Sequence, residues 1–133
     1  MGNRLWVAYT TAKFEKTVAF YADGLGLAEI GVWERGENDR GKYFALASGV
    51  IEIMAVPNAD YEGHVDLRSP QGMTLGVEIE DVEAWYRRAR EHGLNIRIEL
   101  ADFAADERGF SVVDPNGVVL YIFAVGYNEG GGN

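Results

Sequence analysis

A lone acid interrupts an otherwise apolar run, Gly49-Val50-Ile51-Glu52-Ile53-Met54-Ala55-Val56-Pro57. With a period of two, Ile51, Ile53 and Ala55 share one face of a strand, and Val50, Glu52, Met54 and Val56 share the other. A carboxylate on such a face either lies in a wet position or belongs to a site. Against an apolar wall its pKa would rise, and Glu52 could then act as a general base. Sixty-nine positions later, in Gly117-Val118-Val119-Leu120-Tyr121-Ile122-Phe123-Ala124-Val125, the equivalent place holds Tyr121, a phenol able to donate to a developing oxyanion. Glu52 and Tyr121 are therefore the catalytic candidates, a pair suited to proton abstraction beside a carbonyl. Alternation places Trp6, Met54, Thr74, Glu78 and Phe123 on the same faces. Trp6, Tyr121, Phe123 and Met54 would make a wall for flat, partly apolar molecules. Glu52 and Glu78 would offer carboxylates to a cationic group. Trp33 joins the ligand-binding candidates at the rim, with Tyr43 and Phe44 as further rim residues.

The elements that must position these residues repeat. Sliding the C-terminal run by 69 places Tyr121 on Glu52, Phe123 on Met54 and Val125 on Val56. The regions Leu5–Ala8 and Met73–Gly76 echo each other at nearly the same offset, each a strand feeding a helix. Two matches in one order indicate two copies of a supersecondary unit. The first unit, residues 4–57, reads as a strand from Leu5 to Thr10, then a helix from Ala12 to Ala22 capped by Thr11 and ended by Gly24-Leu25-Gly26. Strands follow at Leu27–Glu34 and Lys42–Ala47, across a polar loop of Arg35 to Gly41, before the Glu52 strand. Residues 58–72 read as a linker. The second unit, residues 73–125, has a strand to Ile79 and an Asp81-capped helix to Glu91, striped by Val82, Trp85 and Ala89. Strands at Asn95–Leu100 and Gly109–Val113 follow, and Asn116-Gly117 turns the chain into the Tyr121 strand. A glycine-rich tail, 126–133, is expected to fray. The fold class is α+β: two βαβββ units whose sheets carry a helix on one face and curl, free faces inward, around a cup-shaped cavity.

The bulk composition narrows the function. At 133 residues with 47% apolar and 25% charged side chains, the chain is one globular domain with a real core. No apolar run approaches the roughly 20 residues that span a bilayer, and the N-terminus lacks a basic then apolar signal, so no membrane partner is expected. The absence of cysteine excludes disulfides and thiolate chemistry and favours the cytoplasm. A net charge of −9 argues against nucleic acid and is compatible with a cationic ligand.

Three segments carry a resemblance. Phe14-Glu15-Lys16-Thr17-Val18-Ala19-Phe20-Tyr21, ending in Gly24-Leu25-Gly26-Leu27, is similar to the first helix of the vicinal oxygen chelate superfamily, which holds glyoxalases, bleomycin-resistance proteins, extradiol dioxygenases and fosfomycin-resistance enzymes. Arg108 to Gly117 resembles its signature of an arginine and an aromatic before a D-P-x-G turn, and Val50-Ile51-Glu52-Ile53 resembles its strand with a metal-binding glutamate. The resemblance covers residues 4–125. It implies one metal ligand on each of four strands, and by strand position those places hold Trp6, Glu52, Thr74 and Tyr121. Only Glu52 is a good ligand for a divalent ion; Trp6 has no lone pair to give. His64, in the linker, and His92, at a helix end, do not repair the set. The expectation is no metal and no other cofactor, the alternative being a divalent metal held by ligands recruited elsewhere.

Two functions follow from the resemblance. One is a metal-free binding protein of the bleomycin-resistance kind, sequestering an aromatic or cationic natural product, with antibiotic resistance as its biological sense and a homodimer as its assembly. The other is an enzyme, a glyoxalase-like lyase, an isomerase or a dioxygenase relative, with Glu52 as base or residual metal ligand. A third possibility is a structural or regulatory dimer without a small-molecule task, its cup filled by Trp6 packed on Tyr121 and Glu52 paired with Arg108 or another cation. The binder is the favoured reading.

Overall fold

In a computed structural model, which describes residues 2–36, 38–55, 68–104 and 106–126, the Glu52 run forms the strand β4, Gly49–Ala55, beside β1, Trp6–Thr11. The two are parallel, with Trp6 opposite Val50 and Ala8 opposite Glu52. Between them in sequence come α1, Phe14–Ala19, then β2, Glu29–Gly36, and β3, Asp39–Leu46. The second half repeats the plan: β5, Thr74–Glu78; α2, Val82–Glu91; β6, Asn95–Phe103; β7, Glu107–Val113; and β8, Val119–Val125. The sheets are ordered β1-β4-β3-β2 and β5-β8-β7-β6, each with one parallel and two antiparallel pairings. Thr74 lies opposite Val119 and Gly76 opposite Tyr121, the same register as in the first half. The 69-residue echo is thus a repeat in space, and Glu52 and Tyr121 hold equivalent places.

Alternation sets the core-facing side of each sheet. Ile51 and Ile53 of β4, and Leu120 and Ile122 of β8, have no exposed surface. They join Tyr9, Tyr21, Phe44, Val77, Val82, Phe110 and Val112 in one core that draws on both units. Phe44 therefore belongs to the core, not to the rim where the sequence placed it. Burying each such side chain stabilises by about 1.5–3 kcal/mol relative to leaving it exposed. The opposite faces are open in part: Trp6, Thr74, Gly76 and Glu78 are exposed, as are Phe103 and Val125, whereas Thr10, Val50 and Met54, on the Glu52 face, are buried. Among the described residues the two sheets do not join edge to edge.

The first helix departs from expectation. It is α-helical only to Ala19, then widens into a π-helical stretch, Phe20–Gly24. The last carbonyls of this stretch, as at any helix end, lack partners within the helix. Arg88 of α2 answers them, donating to Asp23 O at 2.8 Å and Gly24 O at 3.2 Å. A Cβ at Gly24 would stand 2.7 Å from a methyl of Leu94 of the other unit, which would have to turn aside. Thr11 does not cap the helix; the cap position is Lys13, whose N–H Thr11 Oγ1 accepts at 2.8 Å. Asp81 does cap α2, accepting from Ala84 N at 3.1 Å. The predicted polar loop is shorter than expected, because β2 runs through Gly36 and β3 starts at Asp39; β6 and β7 likewise extend to Phe103 and back to Glu107. Val56, Pro57, His64 and the tail beyond Gly126 lie outside the described residues.

The turn between β7 and β8 clasps the units together. Asp114, 4% exposed, accepts the Tyr9 hydroxyl and, at 2.7 Å, the Tyr21 hydroxyl on Oδ2. Its Oδ1 accepts the N–H groups of Asn116 and Val118 at 2.8 and 3.0 Å. Asn116 accepts from Thr11 at 2.6 Å and donates to Thr17 at 2.9 Å, and Lys13 Nζ reaches Pro115 O.

Candidate ligand-binding site

The free face of the first sheet is built around Glu52. β1 and β3 flank β4, so Ala8 and Tyr43 lie directly opposite it. The half-buried carboxylate is held on both sides: Oε1 accepts the Trp6 indole N–H at 2.9 Å, and Oε2 accepts the Trp33 indole N–H at 2.8 Å. Hydrogen bonds to a carboxylate are the stronger kind, and two of them fix both rings in place. Tyr43 packs against Trp6 with ring centres 5.2 Å apart. Two glycines let the rings lie down on the sheet. A Cβ at Gly41 would come within 2.7 Å of the Trp33 indole, and one at Gly31 would overlap the Tyr43 ring. Arginines complete the surface, Arg4 5.5 Å from the Trp6 ring centre and Arg35 5.1 Å from that of Trp33. Met54, 4% exposed, contributes little surface here.

The second free face is built differently on the same plan. Tyr121 and Phe123 stack with centres 4.9 Å apart and planes within 11°. Phe103 meets Tyr121 edge-on at 6.0 Å. The Tyr121 hydroxyl donates to Glu107 at 2.9 Å, and loss of solvent, then Glu107's bond and charge, push its pKa up to about 12. Thr74 and Glu78 stand exposed on β5, opposite Val119 and Phe123.

The structure therefore brings Trp6, Trp33, Glu52 and Met54 together on one sheet, and Thr74, Glu78, Tyr121 and Phe123 on the other. Glu52 and Tyr121 are on different sheets, each with its own hydrogen-bond partners. Trp6 packs on Tyr43, not on Tyr121, and Arg108 pairs with Glu83 and Asp102, not with Glu52. His92 is exposed at the end of α2, its Nδ1 3.1 Å from Arg88 O. Sequence reasoning missed Arg4, Arg35, Phe103 and Glu107. Alternation from Trp33 marks Arg35, but Phe103 and Glu107 required knowing how far β6 and β7 run.

Among the described residues no helix is long and apolar enough to cross a membrane. No curated protein sequence matches the chain. Solved structures do. TioX from Micromonospora sp. ML1 superposes with a TM-score of 0.75 at 16% identity, over 93% of this chain and 99% of that one. A glyoxalase/bleomycin resistance protein/dioxygenase from Nocardioides gives 0.68 at 19%, over 94% and 84%. Lactoylglutathione lyase from Agrobacterium tumefaciens gives 0.68 at 14%, over 93% and 94%. At these identities the likeness is one of fold. The family model of the Glyoxalase/Bleomycin resistance protein/Dioxygenase superfamily matches residues 4–122, and to that superfamily this chain belongs.

Proposed function

We propose that the protein binds a planar aromatic small molecule without a metal ion, and that it sequesters rather than transforms it. One observation carries this reading: both oxygens of Glu52 are engaged by indole N–H groups, so the carboxylate serves as the anchor of an aromatic floor. The same observation bears on a metal. Of the four family ligand positions, Trp6 presents a donor, Glu52 alone is a carboxylate and already accepts an indole N–H on each oxygen, Thr74 is a neutral hydroxyl, and Tyr121 is a phenol that donates a hydrogen bond to Glu107. Divalent transition metals need about three or more good protein ligands, which this set does not supply. The open second face, with Phe103 38% and Val125 49% exposed, supports a homodimer in which a second copy completes the cup.

The test is a titration of tryptophan fluorescence with planar aromatic compounds, in buffer with and without a chelator. Wild type is expected to show saturable quenching that the chelator leaves unchanged. Glu52→Gln keeps one acceptor and places an amide N–H against the other indole, so affinity is expected to fall about tenfold, on the scale of one charge-assisted hydrogen bond. Stoichiometric metal in protein purified without chelator, or turnover of the ligand that Glu52→Gln abolishes, would overturn the proposal. Light scattering after gel filtration tests the dimer.

A further inference from the structure

We infer that the ligand of the first sheet is a planar aromatic acid, its ring on the Trp6–Tyr43–Trp33 floor and its anionic group on the guanidinium of Arg4 or Arg35. This rests on the binder reading and goes further, because it assigns the ligand's charge. Among the described residues the carboxylate of the floor is that of Glu52, and it already accepts an indole N–H on each oxygen, at 2.9 and 2.8 Å, which leaves it a weaker anchor for a cation than an unbonded carboxylate. Instead, the ring surfaces themselves carry cations: Arg4 stands 5.5 Å from the Trp6 ring centre and Arg35 5.1 Å from that of Trp33. Arg35 is also bonded to Asp39 at 3.2 Å, whereas among the described residues no carboxylate pairs with Arg4.

Exchange of partners decides the sign. A cationic ligand stacking on either indole would displace a guanidinium and replace one cation–π contact with another, gaining little. An aromatic acid gains twice. Its ring takes the indole face, and the displaced guanidinium, still tethered beside it, closes on the carboxylate in the bidentate geometry that arginine favours. The chain's net charge of −9 does not reverse this. At physiological ionic strength charges are screened over about 8 Å, so a guanidinium in contact outweighs acids spread over the surface.

Three probes of one shape separate the outcomes: 2-naphthoate, 2-naphthamide and 2-naphthylmethylammonium, each titrated calorimetrically into the full chain. The acid is expected to bind about tenfold more tightly than the ammonium, with the amide between. Arg4 is exposed and lies before β1, so Arg4→Gln should fold normally and shrink that ratio to about threefold, while Arg4→Lys retains more of it. Tighter binding of the ammonium, equal binding of all three, or a ratio untouched in both Arg4→Gln and Arg35→Gln would overturn the inference and leave the binder reading standing. Binding of none of the three overturns both.

Discussion

Removing the carboxylate of Asp114 should unfold the junction between the two units, and the cost can be worked from its bonds. In Asp114→Ala, the N–H groups of Asn116 and Val118 and the hydroxyls of Tyr9 and Tyr21 all lose their acceptor. The hydroxyls stand 3.3 Å apart and can serve one another in part, but the two amides have no such recourse. A buried donor left unpaired costs about 1–3 kcal/mol, so the expected loss is about 3–5 kcal/mol, a large share of a small domain's stability. Asp114→Asn should behave differently. Its amide oxygen can stay on the two N–H groups while its NH₂ faces hydroxyls that rotate to accept, and losing the charge costs about 1–2 kcal/mol. Tyr9→Phe and Tyr21→Phe should each cost about 1 kcal/mol, with coupling because they share one oxygen. Urea unfolding, followed by tryptophan fluorescence and far-ultraviolet circular dichroism, measures all four variants. An alanine variant that loses less than about 1 kcal/mol would refute the reasoning, because surface substitutions reach that range without breaking any network.

Two further outcomes follow from the same geometry. Burial, then the charge of Asp114, holds the Tyr9 phenol above its ordinary value near 10; Tyr21 is raised too, by burial, then by Tyr9 and Asp114. The folded state thus keeps protons that the unfolded chain releases, so stability is intact below about pH 10 and falls above it, by up to about 1.4 kcal/mol per pH unit for each phenol. Urea midpoints from pH 8 to 11.5 check this; an unchanged midpoint across that range would contradict it, and Tyr9→Phe should flatten the slope. Gly41→Ala places a methyl within 2.7 Å of the Trp33 indole, which must lift and release Glu52. The expected signature is a red-shifted emission with a stability loss of about 1–3 kcal/mol, the range of an overpacked interior; an unshifted spectrum would mean the ring does not rest on that glycine.

How far this molecule could be read from its sequence depended on how local each question was. Which face a strand residue takes is local, because side chains alternate whatever lies around them. Alternation therefore named which side chains share the Glu52 and Tyr121 faces, though not that Met54 would be buried there, and the 69-residue echo placed Glu52 and Tyr121 at equivalent positions. The partner a side chain finds there is not local. Glu52 meets Trp6 and Trp33 from 46 and 19 residues away, and Asp114 meets Tyr9 and Tyr21 from 105 and 93. The first pair depends on strand register, the second on how two whole units dock. The spacing of Phe14, Val18, Tyr21 and Leu25 suits an α-helix as well as one that widens midway, and Leu94 and Arg88, which accommodate the widening, come from the other unit. The consequence for function lies in what the two equivalent positions became. Glu52 is an acceptor that draws two indole N–H groups inward, while Tyr121 is a donor whose proton is drawn aside to Glu107. Each withdraws its own polar group from the open face and leaves ring surface in its place, so a divergence that begins as unlike residues on a shared plan ends as the same physical result on both sheets.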